Sequence, residues 1–501
     1  MKHATIVVAL SALIVTGCRG NKETVITGSI TGNPGLKTLV YTVPLSGTSY
    51  PGFQDTIRLD EAGHFELKLA MKQPAFIRVW IPEPHVSAKI VAEPGNSYHV
   101  TMDANEKCTR VSGANEKGQM LYTSLPDPEY VGMEARKLNL RADTSLASIH
   151  EKVEALKQSE LSKFKELLDN GEVSKSFFDL VKIDRDCYHA SLEANVSTSK
   201  AFSMLESKQF VLPSGENVLE NLARIFALYP PDDEQLLFSS FWNQYAENYV
   251  TNYKLFTRED FDLLKLREMY ANRVLYAFCI NESKNCLTGK ALECFQAAYL
   301  HVTALQKKYE KELIALFEQF EKDYPSSEYT RYVKPLIDQI VLFHQINEKP
   351  FDETVQFVDD YEHVNTLEEA IKPLQGKKIY IDVWATWCGP CKEEFQHQQA
   401  LKKILDEQNI QQLYISIDTD DHDQQWKDNI KFYGLSGTHI RANENLHVVD
   451  LCKRFDKNAK EPYIAIPWYI LVDEKGNIIK EHAEWPSQII QDPGILNITK
   501  D

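Results

Sequence analysis

The stretch Trp384-Ala385-Thr386-Trp387-Cys388-Gly389-Pro390-Cys391-Lys392, with residues 377–383 leading into it, decides the fold of this chain. Ile379, Tyr380, Ile381 and Val383 make the short apolar run of a central strand. Glycine and proline break that pattern. Residues 391–405 then carry helical spacing, with Cys391, Phe395, Leu401 and Leu405 on the apolar side. Two cysteines separated by two residues at a strand-to-helix turn put the first thiol at a helix N-terminus, where unsatisfied N–H groups favour thiolate. Pro390 suits the first helical turn, where its missing N–H costs nothing. The spacing lets both sulfurs reach bonding distance, so the pair can cycle between dithiol and disulfide. A zinc site needs two more ligands at comparable spacing, and no second Cys-x-x-Cys or His-x-x-His accompanies this one. A purely structural cross-link over so short a loop gains little. The motif predicts redox chemistry.

At these residues the chain resembles thioredoxin-fold proteins. Trp387-Cys-Gly-Pro-Cys-Lys is the thioredoxin active-site sequence, and the following Lys392-Glu393-Glu394 is similar to the membrane-anchored TlpA/ResA-like thiol-disulfide oxidoreductases. The resemblance runs from about Val355 to the C-terminus, under a third of the chain. An extra segment, 434–455, sits where that branch carries an insertion.

The resemblance implies a site. Cys388 is the attacking thiol and Cys391 the resolving one. Ile466-Pro467 stands where the fold has a cis-proline loop, whose preceding residue pairs backbone to backbone with the substrate chain. Trp387, Gly389, Pro390, Ile466 and Pro467 are therefore the implied substrate-binding residues. The usual threonine after that proline is replaced by Trp468. Asp382, six residues before Cys388, holds the place of thioredoxin's buried carboxylate, a proton acceptor for Cys391 whose pKa desolvation should raise. Glu394, three after Cys391, matches an acidic residue of the ResA-like members, and a solvated helix face also accounts for it. The proline that often follows is absent, Gln396 standing near it.

Gly-Pro between the cysteines resembles the reducing members, so a reductase of disulfides in partner proteins is the first expectation. An exported oxidant or isomerase is the alternative within the class. A surface scaffold with a vestigial thiol pair is the alternative outside it. A peroxidase is disfavoured because Ala385, not threonine, lies three residues before Cys388. The cycle requires no organic cofactor and no metal.

The N-terminus reads as an address. Lys2 supplies a positive start, residues 4–15 an apolar core too short to span a membrane, and Val15-Thr16-Gly17-Cys18 resembles a bacterial lipobox. It implies a signal peptide over 1–17, lipid on Cys18 with a tether over 18–24, and an envelope lipoprotein facing the periplasm. Partners then follow: a disulfide-containing exported protein, a membrane-linked thiol reductant, and the bilayer itself. A net charge of −17 disfavours nucleic acid and anionic membrane surface. Export also permits disulfides. Nine cysteines leave eight beyond Cys18 and six beyond the redox pair.

At 501 residues the chain exceeds one compact domain. Short β-rich runs between turn signals span 25–112 and predict an antiparallel β-sandwich, with 56–59 and 64–69 as a hairpin around Asp60-Glu-Ala-Gly63. That layout resembles the small domain ahead of thioredoxin domains in Bacteroidetes-type multidomain lipoproteins. Helical periodicity over 113–347 predicts an α-helical bundle, including stretches 146–168, 174–194, 217–227, 260–277 and 291–320. Cys279 and Cys286 fit either a disulfide bracketing a loop or buried thiols, since 281–285 and Gly289 argue against one continuous helix. From 348 to 501 the pattern is α/β, the thioredoxin-like domain, with Thr366 and Glu369 as a capping box.

Overall fold

The computed structural model describes residues 22–33, 35–45, 48–206, 212–271, 275–455 and 464–496. Cys18 and the 1–17 segment lie outside them. The chain divides into two compact units, one of residues 1–302 and 316–334, the other of 303–315 and 335–501.

The first unit begins with eight strands: β1 (Lys22–Thr31), β2 (Thr38–Thr42), β3 (Gln54–Arg58), β4 (His64–Met71), β5 (Ala75–Ile81), β6 (Val86–Ala92), β7 (Ser97–Asp103) and β8 (Cys108–Gly113). They form two four-stranded sheets, ordered β4-β1-β7-β8 and β3-β2-β5-β6. In β8 the one buried side chain is Val111. Two pairings differ from the expected layout. β1 and β7 run parallel. The turn at 60–63 carries the chain from one sheet to the other, β3 pairing with β2 and β4 with β1. Gly63 adopts φ 80° there, and a Cβ would sit 2.8 Å from the Ile30 carbonyl oxygen. Period-two alternation marks strands but not their partners, so the local turn signal misled.

Helices follow, organised on the 32-residue Lys175–Glu206 helix. It packs against Leu146–Asp169, Val131–Lys137, Val218–Leu228 and Trp242–Asn248. Phe76 and Val91 of the strands share one apolar cluster with Tyr122, Phe164, Phe177 and Val181 of the helices. The Leu275–Cys286 helix runs unbroken through 281–285, which places Cys279 and Cys286 seven residues and about 10 Å of rise apart. That exceeds disulfide reach, and both thiols are free. The stretch 291–320 is interrupted: one helix is Gly289–Leu305 and the next Glu312–Asp323. Residues 306–311 carry no glycine or proline, yet Lys307 and Tyr309 adopt φ 51° and 56°. Tertiary packing of Tyr309, described below, overrides local helix propensity there.

In the second unit, six strands form one sheet: β9 (Val355–Phe357), β10 (Lys378–Trp384), β11 (Ile410–Ser416), β12 (Gly437–Arg441), β13 (Trp468–Val472) and β14 (Ile478–Lys480), ordered β14-β13-β10-β11-β12-β9. β10 is central, parallel to β11 and antiparallel to β13. Such a strand is buried on both faces and reads as a near-continuous apolar run, which is how 379–383 reads but for Asp382. Trp384, Trp426, Tyr380, Tyr414 and Tyr469 are fully buried around it. At about 25 cal/mol per Å2, burying roughly 150–250 Å2 contributes about 4–6 kcal/mol for each such aromatic. Thr366 accepts the Glu369 N–H at 3.2 Å, while the Glu369 carboxylate reaches back to the Asn365 N–H at 2.8 Å, one residue earlier than a capping box places it.

Candidate active site

β10 ends at Trp384, and the next three residues turn the chain into the Gly389–Glu394 helix. A buried carboxylate fixes that turn. Asp418, just past β11 and 2% exposed, accepts the Thr386 N–H at 2.8 Å and the Thr386 hydroxyl at 2.7 Å, with Ser416 Oγ donating to the same carboxylate at 2.7 Å. Cys388 is the helix N-cap, and the Cys391 N–H points at its Sγ from 3.1 Å. Cys388 and Cys391 are joined as a disulfide, with Cα atoms 5.4 Å apart. Cys388 is 4% exposed and Cys391 0%, so an approaching partner meets Cys388 first. Trp387, Gly389 and Pro390 are all exposed around it, Trp387 by 62%.

Asp382 on β10 is wholly buried, with no hydrogen-bond partner for either carboxylate oxygen. Tyr380, two residues earlier on β10, packs with Leu401 and Leu405 of the Gln398–Glu407 helix, and strand alternation puts Asp382 on the same face. Desolvation pushes the Asp382 pKa well above the usual carboxylate range, and the nearby Glu394 charge pushes it further. Glu394 is itself buried, and its Oε2 accepts the Ser487 N–H at 2.9 Å, which caps the first turn of the Pro486–Ile489 helix. It does not lie on a solvated helix face.

Lys392 is also buried. Its ammonium donates to the Lys307 carbonyl oxygen at 2.9 Å and lies 5.8 Å from the centre of the Tyr309 ring. Tyr309 in turn stacks on Phe343 with centroids 4.2 Å apart and shares a 2.6 Å hydrogen bond with the Tyr433 hydroxyl. The His344 imidazole bonds the Tyr309 carbonyl oxygen at 2.9 Å. Residues 306–311 are thus strapped to the helix that carries the cysteines.

The Ile466–Pro467 peptide is cis, and Ile466 packs on the apolar cluster that contains Cys388, Cys391 and Phe395. Trp468 follows, its indole N–H donating to the Glu481 carbonyl oxygen at 2.7 Å. Every redox-site residue that the resemblance implies outside the N-terminal segment lies in this unit. Thr386, Asp418 and Ser487 were not singled out. An aspartate just past the strand beside the motif strand was the available signal for Asp418; nothing local marked Ser487.

Three further thiols, Cys279, Cys286 and Cys294, are unsuited to exchange. Burial pushes Cys279 and Cys294 up to about 12 and Cys286 up to about 11, which keeps them protonated at neutral pH. Among the described residues no group of three or more histidine, cysteine, aspartate or glutamate side chains could hold a metal ion. Among them, too, no helix is long and apolar enough to cross a membrane.

A family model described as Redoxin matches residues 360–496. The thiol-disulfide oxidoreductase ResA of Halalkalibacterium halodurans is 27% identical over 132 residues, covering 26% of this chain and 67% of that protein. A thioredoxin of Ictalurus punctatus is 35% identical over 60 residues, covering 12% of this chain and 54% of its own. The solution structure of a thiol:disulfide interchange protein from a Bacteroides species is 18% identical, covers 26% of this chain and 80% of that one, and has a TM-score of 0.21. The chain thus spans about two thirds of the first relative's length and about half of the second's. Residues 360–496 thus match the redoxin model and are similar there to thiol-disulfide oxidoreductases.

Proposed function

We propose that the chain is an exported, lipid-anchored oxidoreductase that reduces disulfides in partner proteins. The observation that carries this reading is the arrangement of the pair. Cys388, the more exposed of the two, caps a helix N-terminus and takes the Cys391 N–H, and the strand leading into the motif carries a buried, unpartnered carboxyl at Asp382.

In the cycle, the Cys388 thiolate attacks one sulfur of a partner disulfide. A Cys388–partner bond forms and the other partner sulfur leaves as a thiolate. Cys391 gives its proton to Asp382, attacks Cys388 Sγ and closes the Cys388–Cys391 bond. The partner departs with two electrons and, after protonation, two thiols. A membrane-linked thiol reductant returns two electrons to the pair. The Cys391 N–H and the helix terminus stabilise the Cys388 thiolate both as attacking and as leaving group. Asp382 can take this role because desolvation raises its affinity for a proton toward that of a thiol. Glu394 holds Asp382 in that range. Trp387, Gly389, Pro390, Ile466 and Pro467 make the surface on which the partner strand lies. Lipid on Cys18 would hold the chain on the periplasmic side of an envelope membrane, and an N-terminal sandwich and helical bundle would space the redox domain from it. The acidic net charge of −17 leaves nucleic acid out of the partner set.

The test is the equilibrium reduction potential of the Cys388–Cys391 pair in the intact chain. A value near −270 mV, the thioredoxin end, is expected of a reductase. A value near −120 mV, the DsbA end, would make the pair a disulfide donor and overturn the proposal.

A further inference from the structure

The sheet of the second unit sets Asp382 among four aromatic side chains. Residues paired directly across a sheet, and residues two apart on one strand, project from the same face. On β10 the neighbours two positions away are Tyr380 and Trp384. Across the antiparallel ladder Asp382 is paired with Tyr469 of β13, and across the parallel one with Tyr414 of β11. Such cross-strand partners hold their Cβ atoms about 4.5–5.5 Å apart, and residues two apart on a strand lie about 6.5–7 Å apart. Tyr380, Trp384 and Tyr414 are 0% exposed and Tyr469 2%. The four nearest same-face positions around this carboxyl are therefore all sealed rings.

Among the described residues none of their polar tips bonds the carboxyl. The Tyr380 hydroxyl donates to the Glu484 carbonyl oxygen at 2.6 Å, and the Tyr414 hydroxyl to Gln398 Oε1 at 2.8 Å. The Gln412 amide, two residues before Tyr414, donates to that same Gln398 oxygen at 3.1 Å. The Tyr469 hydroxyl and the Trp384 indole N–H have no hydrogen-bond partner among the described residues, and neither has Asp382. The charge that acts on Asp382 from outside the rings is negative, that of Glu394 on the Gly389–Glu394 helix. Beyond Tyr414 in the same row stands His439 of β12, stacked on it with centroids 4.7 Å apart. Burial pushes that imidazole down to about 3, so it brings no cation. Burial also lifts the three phenols above their ordinary range, which keeps them protonated through neutral pH.

We propose that Tyr414 and Tyr469 are positioning residues of the redox reaction: their rings, on either side of Asp382, keep water and hydrogen-bond donors from the carboxyl that receives the Cys391 proton. The inference rests on the reading of Asp382 as that acceptor. It assigns the work to the rings and none to the hydroxyls. An amide in place of either ring would put a donor beside the carboxyl, favour its charged form and weaken its hold on a proton.

The experiment follows the titration of Asp382 in the intact chain with the Cys388–Cys391 bond closed, so that neither thiol ionises. The parent, Tyr414→Phe, Tyr469→Phe, Tyr414→Gln and Tyr469→Gln are each compared in chemical unfolding with the same protein carrying Asp382→Asn, from about pH 3.5 to about pH 9. The pH at which the difference stops growing marks the carboxyl's folded-state pKa. Both Phe variants should match the parent within about threefold in proton affinity, and each Gln variant should fall at least about tenfold, one pH unit. The proposal fails if a Phe variant falls tenfold, if both Gln variants keep the parent's value, or if the parent's difference does not change with pH. Should neither Gln variant fold, the parent and the Phe variants decide alone. Release of a partner from the mixed disulfide is then timed against pH in the folded Gln variants, where the limb set by Asp382 should move down by at least about one pH unit. A limb that stays while the titration moves defeats the acceptor reading, and with it the proposal as a statement about the reaction; a titration that stays defeats the proposal alone.

Discussion

Lys392, the residue after Cys391, donates its ammonium to the carbonyl oxygen of Lys307 at 2.9 Å, 85 positions earlier in the chain. The bond is charge-assisted and sheltered, since Lys392 is 5% exposed. Lys392→Met keeps the aliphatic stem but leaves the carbonyl without its donor, at about 1–3 kcal/mol. Amide exchange over residues 306–311 should then quicken by about 5- to 100-fold, with the rest of the unit unaffected. Unaltered exchange in that segment would show that its other contacts, Tyr309 with Phe343, Tyr433 and His344 among them, hold it without the lysine.

Asp382 sits at zero exposure with both oxygens unpartnered, so its charge is the unfavourable state in the folded chain. Its folded-state pKa is raised above the ordinary 3.8, first by desolvation and then by Glu394. Below the unfolded value the carboxyl is neutral in both states and costs nothing. As pH rises from there to the folded-state value, the unfolded chain ionises alone, and stability falls by about 1.4 kcal/mol per pH unit. Asp382→Asn removes that slope. Its advantage in chemical unfolding should be near zero at about pH 3.5 and reach about 2–4 kcal/mol at about pH 8. A difference that stays constant with pH would mean that Asp382 does not titrate as burial requires. In the proposed cycle Asp382 takes the Cys391 proton, so the same variant should slow disulfide release by about 10- to 100-fold at neutral pH.

The turn that presents Cys388 hangs on Asp418. Asp418→Ala removes the acceptor for the N–H and hydroxyl of Thr386, both buried, and frees Ser416 as well. The cost is about 2–5 kcal/mol, in the range for losing one member of a buried polar network. Asp418→Asn retains one acceptor oxygen and should lose about half as much. If unfolding midpoints of the two variants match that of the parent, the network does not hold the turn.

Legibility divided along physical lines. The central strand, the cysteine pair, Asp382 and the proline at 467 lie in or near stretches where local pattern and tertiary role coincide. An apolar run bounded by Gly-Pro can be little else than a buried strand before a helix. Strand partners were less legible, because alternation in 56–59 and 64–69 marks two strands without saying that they belong to different sheets. Least legible were contacts made at long range by ordinary residues. Gln-Lys-Lys-Tyr-Glu-Lys at 306–311 continues a helical pattern, and only the Phe343 and Tyr433 that meet Tyr309 explain why it breaks. Glu394 could be named from its place after Cys391, but its partner, the Ser487 N–H, stands 93 residues away.

The asymmetry between the two cysteines gives the most direct prediction. Cys388 is the more exposed residue and caps the helix, while Cys391 is wholly buried. The proposed cycle therefore starts at Cys388 and is resolved by Cys391. Cys391→Ser should accumulate a mixed disulfide with a disulfide-bearing protein, visible as a species of summed mass that dithiothreitol dissolves. Cys388→Ser should yield none, since the remaining thiol is inaccessible and lacks the helix terminus that favours its ionisation. Both variants should lose reduction of insulin disulfides by at least about 1,000-fold, as removing either half of a unit that acts together does. Adduct formation by Cys388→Ser at a rate comparable to Cys391→Ser would reverse the assignment and place the attacking sulfur at the buried position.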